Sequence, residues 1–209
     1  MESDELREHM EHASSVFDRK VAVTMAVVAA ILAWVTLLSH RAHNETIILQ
    51  SEANRAQTQA NIFHTRASDQ WNYFQAKNIR NYETQAFLQM LQLMPKATGA
   101  DASKNAAAVT SQWSAQLKRY ETELPQLKQQ AESLASQAHE LEKTSEERLR
   151  ESHATHDRAD RYDAAELAVE IALVLCSLAV LSKRAPFWYS GMAICAIGLA
   201  VAVSGLMMK

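Results

Sequence analysis

Six of the eight histidines stand in pairs three residues apart: His9/His12, His40/His43 and His153/His156. On a helix that spacing turns two imidazoles to one face, and neutral imidazole is a common ligand of zinc and copper. A bare pair still lacks a third ligand. Folding the chain back on itself sets His43 opposite about Asp160 and His153/His156 opposite residues 47–50. At 1.5 Å per residue the last two pairs then lie roughly 10–15 Å apart. The pairs therefore read as solvated surface histidines, and no metal centre is assigned. If a metal binds at all, His40, His43, His153 and His156 are its candidate ligands.

A second constellation is acidic. Asp163, Glu166 and Glu170 share one helical stripe, and Ser177 continues it into an apolar run. A carboxylate inside a bilayer costs several kcal/mol unless it is paired, protonated or wet. Rings of such acids line cation paths in channels, so these three residues are candidates for an ion path. The plainer alternative starts the span lower, near Leu167, and leaves both glutamates at headgroup level beside Arg158, Arg161 or Arg41. No glycine-rich phosphate loop, HExxH or CxxC is present, so neither an enzymatic activity nor a cofactor is expected. The formal net charge is −3, which offers no electrostatic footprint for nucleic acid.

The elements that would position these groups are apolar runs. Residues 21–39 and 187–208 are free of charge, and 164–181 is interrupted only by Glu166 and Glu170. Nineteen helical residues rise roughly 28 Å, enough to cross the hydrocarbon of a bilayer. Three transmembrane helices follow as the expectation, with the link Ser182–Pro186 between the last two. Arg19 and Lys20 precede the first span, and Lys183 and Arg184 fill the last link. The positive-inside rule then favours a cytoplasmic N-terminus, with the polar stretch 40–163 and the C-terminus outside. Both cysteines, Cys176 and Cys195, fall within spans. Ahead of the first span, Leu6, Met10, Ala13 and Phe17 line one face of residues 1–20, as in a short interfacial helix.

The polar stretch 40–163 reads as a hairpin of two long helices turning near 95–104. In the first arm Leu49, Ala53, Ala56, Ala60, Phe63 and Ala67 follow the 4-3 rhythm of a coiled-coil seam. Spacing then lengthens to Trp71 and Phe74, which reads as a stutter. In the second arm the rhythm runs unbroken from Trp113 to Leu141, then turns polar through Ser145, Ser152 and His156. Pro125 lies inside it, where a kink or short break is expected. The aromatics Trp71, Tyr73, Phe74, Tyr82 and Phe87 belong either to the hairpin core or to a partner surface.

Small residues also recur on the spans. Gly191, Cys195, Gly198, Ala202 and Gly205 repeat at 4-3-4-3, as do Ala22, Ala26, Ala29, Ala33 and Thr36. Ala165, Ala168 and Ala172 form a shorter version. Small faces let membrane helices approach closely, so these residues are expected to form packing seams.

The stretch Ser68-Asp69-Gln70-Trp71-Asn72-Tyr73-Phe74-Gln75-Ala76-Lys77-Asn78-Ile79-Arg80 resembles the signature segment of a family of bacterial membrane proteins known only as a domain of unknown function. One anchor, this segment within a long helical region, and two closely spaced spans also match that family's order, so the resemblance covers nearly the whole chain. It implies a bacterial membrane protein and brings no activity, ligand or catalytic residue. The expectation is an all-α inner-membrane protein of three spans and a coiled-coil hairpin. Its partners are the lipid bilayer, further copies of itself and a protein along the hairpin, and its role is that of a scaffold or adaptor. The rival is an oligomeric cation channel or transporter component.

Overall fold

The computed structural model describes residues 2–94 and 100–208, with side chains from 16 to 94 and from 101 to 208. Among them every element is helical: α1 (Glu2–Leu93), α2 (Ala100–Ser182) and α3 (Ala185–Met207). Neither glycine nor proline occurs within α1, so nothing in its sequence stops a helix before Met94 and Pro95. Each helix contains a stretch long and apolar enough to cross a bilayer. Residues 95–99, most of the expected turn, and the side chains of Leu6, Met10 and Ala13 lie outside the described residues. Ala100–Lys104, also assigned to the turn, are the first residues of α2.

Two compact units divide the chain, Met1–Glu52 with Glu147–Lys209, and Ala53–Glu146. In the first, α1 presents Val21, Val28, Val35 and Ala42 at intervals of seven, all buried. They meet Tyr162, Ala165, Val169, Ala172, Cys176 and Ala179 of α2 in three stacked clusters. Helix α3 adds Cys195 and Ala202 to the same clusters. Phe17 joins the lowest one and meets the Trp188 ring edge-on at 6.1 Å. Higher up α2, the polar seam passes through Ser152 and Thr155, both buried, while His156 is exposed. Thr155, three residues beyond Ser152, keeps the 4-3 rhythm; His156 steps off it onto the flank.

The α2–α3 link is only Lys183 and Arg184. Lys183 adopts φ 50°, the left-handed turn that commonly ends a helix. Pro186 stands in the first turn of α3, where its missing N–H and fixed φ favour initiation. The sharp reversal brings α3 back along α2 with its glycines inward. A Cβ on Gly191 would stand 2.9 Å from the Ala172 carbonyl oxygen, and one on Gly198 3.1 Å from that of Ala165.

In the second unit the arms pair antiparallel along a narrow seam of alanines, with Ala53, Ala56, Ala60, Ala67, Ala131 and Ala138 buried. Ser145 donates to the Ala53 carbonyl oxygen at 2.9 Å, and the Phe87 and Trp113 rings lie 5.6 Å apart. Gln70 donates to Gln130 at 2.8 Å, and Lys77 pairs with Glu123. Gln70 and Lys77 fall on the same 4-3 rhythm, so polar residues carry the seam where apolar spacing alone reads as a stutter. The hydrogen bond from Lys77 to Glu123, that to the Tyr73 hydroxyl, and the charge of Glu123 hold the Lys77 ammonium above its ordinary range.

Helix α2 runs on through Pro125 rather than breaking there. Pro125 and Glu121, whose carbonyl loses its i+4 partner, are both exposed, so water can take the freed acceptor.

Replacing Gly191 by Ala is expected to lower the thermal midpoint in detergent by the equivalent of about 1–3 kcal/mol. The matching change at Gly205, where an added Cβ would meet the edge of the Tyr162 ring at 2.8 Å, should cost less. A ring can tilt where a helical carbonyl cannot. Equal midpoints for Gly191→Ala and the parent protein would refute the close approach.

Candidate functional site

The acidic stripe meets α1 in a compact polar contact. Thr36, Ser39 and His43 follow one another at 3-4 spacing, so they share the face of α1 that lies against α2. Ser39, 3% exposed, donates its hydroxyl to Asp163 Oδ1 at 2.5 Å. The His43 Nε2 lies 3.0 Å from Asp163 Oδ2. One turn further into the apolar run, Thr36 donates to Glu166 Oε1 at 2.7 Å. Both carboxylates are therefore held by partners within the same chain.

Burial raises the Asp163 carboxyl, but the hydrogen bonds from Ser39 and His43 and the charges of His43 and His156 outweigh it. The net result holds Asp163 below the usual carboxylate range. A carboxylate so held is a clamp between helices; it is poorly suited to exchange protons near neutrality. Glu170 is exposed, and among the described residues no hydrogen bond or ion pair reaches it.

The arginines expected beside these acids go elsewhere. Arg161 donates to Ser204 of α3 at 3.1 Å. Arg41 and Arg158 line a cavity of about 160 Å³ with Leu38, Glu45, Thr155 and Tyr162. Sequence reasoning reads Thr36 only as the end of the α1 small-residue stripe and does not single out Ser39. Their signal is two hydroxyls three residues apart at the end of an otherwise apolar run.

The histidine register differs from the expectation. The His43 and His156 rings lie 6.5 Å apart, closer than the fold-back spacing of roughly 10–15 Å. Ser152 donates to the Thr46 carbonyl oxygen and Ser145 to that of Ala53, so the arms pair about four residues away from the expected fold-back, and His43 falls level with His156 rather than with Asp160. His156 Nε2 is 3.8 Å from Asp160, while His40 and His153 are exposed. Among the described residues no three histidine, cysteine or acidic side chains converge as a metal site.

The small-residue stripes divide. Gly191, Cys195, Gly198, Ala202 and Gly205 are all buried inside the chain. Ala22, Ala26, Ala29 and Ala33 are exposed, because α1 turns its valines inward instead. In the other unit a hollow of about 520 Å³ is lined mainly by glutamines, with Ser133 and Leu134. It offers amide hydrogen bonds but no charge.

A family model described as domain of unknown function DUF4337 matches residues 17–208, which hold every helix contact described above. The chain belongs to this family. The DUF4337 match spans the three apolar stretches and both arms of the polar region. No curated protein and no solved structure matches the chain.

The Asp163 contact titrates with a definite sign. Its folded pKa lies below the ordinary 3.8, so the stability it adds is fully present above that value. It drains away as pH falls through the folded pKa. Thermal scans of Asp163→Asn should show a lower midpoint than the parent at pH 7, with the two converging as the pH falls below the ordinary carboxylate range. A constant gap across that range would show that Asp163 contributes no pH-linked stability.

Proposed function

We propose that this DUF4337 protein is an integral membrane scaffold of the bacterial inner membrane, without catalytic activity. On this reading the apolar parts of α1, α2 and α3 cross the bilayer as three spans. The N-terminus lies in the cytoplasm, and the polar arms form a periplasmic coiled-coil hairpin. The observation that carries the reading is the use of the acidic stripe. Asp163 and Glu166 bind Ser39, His43 and Thr36 of their own chain. They brace helices rather than stand free for ions.

Two exposed faces support a scaffolding role. The Ala22, Ala26, Ala29 and Ala33 face of α1 is left open within the chain, and small faces of this kind join membrane helices. We assign it to self-association, since the α3 glycines already pack on α2. The distal hairpin exposes Tyr73, Ile79, Tyr82, Phe87 and Met90, a surface suited to a protein partner. The rival reading, an oligomeric cation channel or transporter component, keeps one observation in its favour: Glu170 is exposed and free to face a neighbouring subunit.

Ala29→Cys, in a protein whose Cys176 and Cys195 are replaced by alanine, should cross-link between copies on mild oxidation in membranes. The parent reconstituted in liposomes should pass no more cations than empty vesicles. Absence of cross-linking would refute the assigned contact. A cation flux abolished by Glu170→Gln would establish the channel instead.

A further inference from the structure

One groove on the apolar unit is neither filled by the chain nor used by the polar contact. It runs between α1 and α3. At its open end a cavity of about 470 Å³ is lined by Val16, Arg19, Lys20, Val23, Thr24 and Trp188. A second, of about 260 Å³, shares Val23 and Thr24 and continues past Val27 and Ala196 to Ile31 and Leu199. The walls are apolar. Below Arg19 and Lys20, Trp188 and Thr24 satisfy each other, since Trp188 Nε1 donates to the Thr24 hydroxyl at 3.0 Å, which in turn donates to the Val21 carbonyl oxygen at 2.7 Å. Nothing in the wall asks for water.

The charge lies at one end only. Arg19 and Lys20 are exposed, and among the described residues neither is engaged in an ion pair. Asp18, the neighbouring acid, does not line the groove, and its Oδ1 is buried. From Lys20 to Ile31 the groove follows α1 for roughly 17 Å, about the depth of one leaflet of a bilayer with a 30 Å core.

We propose that this groove holds an anionic glycerophospholipid, its phosphate headgroup on Arg19 and Lys20 and one acyl chain between α1 and α3. The proposal rests on the membrane reading above. Basic pockets between membrane helices recognise anionic headgroups by charge, and an apolar channel beneath them accepts a chain. Trp188 lines the upper cavity and bonds Thr24, which lines both, so its fluorescence reports on a chain passing from one to the other.

The test uses full-length protein with Trp34, Trp71 and Trp113 changed to Phe, leaving Trp188 as the fluorophore. It is reconstituted in phosphatidylcholine vesicles carrying a minor fraction of acyl-brominated lipid, either phosphatidylglycerol or phosphatidylcholine. Flotation is read first: protein that does not float with the vesicles refutes the membrane reading and the lipid site with it. In floating protein, brominated phosphatidylglycerol should quench Trp188 at lower mole fraction, each basic residue contributing about a fivefold preference. Arg19→Gln with Lys20→Gln should bring that preference to near unity while the protein still floats. Ala196→Phe, at an exposed position, should fill the lower groove and weaken quenching by phosphatidylglycerol. Equal quenching by the two lipids in the parent would overturn the proposal. So would a preference that survives the Arg19 and Lys20 changes, or quenching that Ala196→Phe leaves untouched.

Discussion

The apolar unit depends on how closely three helix backbones can approach. Along α3 a glycine recurs every seventh residue, and at Gly191 and Gly198 a single added Cβ would press on a carbonyl oxygen of α2. Against that contact α1 contributes valines and α2 alanines, also at intervals of seven. A period of seven keeps one face in contact over many turns when helices cross at a shallow left-handed angle. Side chains this small bury little area each. Stability then comes from length, from dispersion between closely packed backbones, and from a few polar contacts placed where they count.

Those polar contacts are the second constraint. Ser39 and Thr36 sit at the end of the apolar run of α1, where a hydroxyl has few partners other than the chain itself. Asp163 and Glu166 arrive opposite them, and each side satisfies the other. Burial alone would push a carboxyl toward neutrality; two hydrogen bonds and the nearby imidazoles reverse the sign for Asp163. The same pairing directs the functional reading, because an acid that braces two helices is not free to coordinate a passing cation. The scaffold we propose follows from this use of charge, and its open faces are the alanine stripe of α1 and the aromatic flank of the hairpin.

Much of this architecture is legible in the sequence because it rests on period and composition. Three apolar runs, a single glycine in the polar region, and three glycines at sevens on α3 each have a direct physical meaning. What escaped reading were polar residues that act as seam positions. Gln70 and Lys77 look like surface residues, yet they reach across to Gln130 and Glu123 and keep the rhythm that the apolar spacing breaks at Trp71. Thr36 and Ser39 look like filler within an apolar run. The proximity of His43 and His156 follows from the register of the arms, which Ser152 on Thr46 and Ser145 on Ala53 set about four residues away from a simple fold-back. Ala22, Ala26, Ala29 and Ala33 carry the same repeat as the α3 glycines, but valine on the adjacent stripe of α1 fills the interior better. Periodicity marks a face; it does not say whether a neighbour in the same chain covers it.

The central claim is that Asp163 acts on Ser39 within its own chain. The most direct measurement is a double-mutant cycle of Ser39→Ala and Asp163→Asn, read by unfolding free energy in detergent at neutral pH. A coupling of about 1 kcal/mol or more is expected for a hydrogen bond to a carboxylate. Additive effects, with coupling near zero, would contradict the intrachain clamp and return Asp163 to the pool of free acids that a cation path requires.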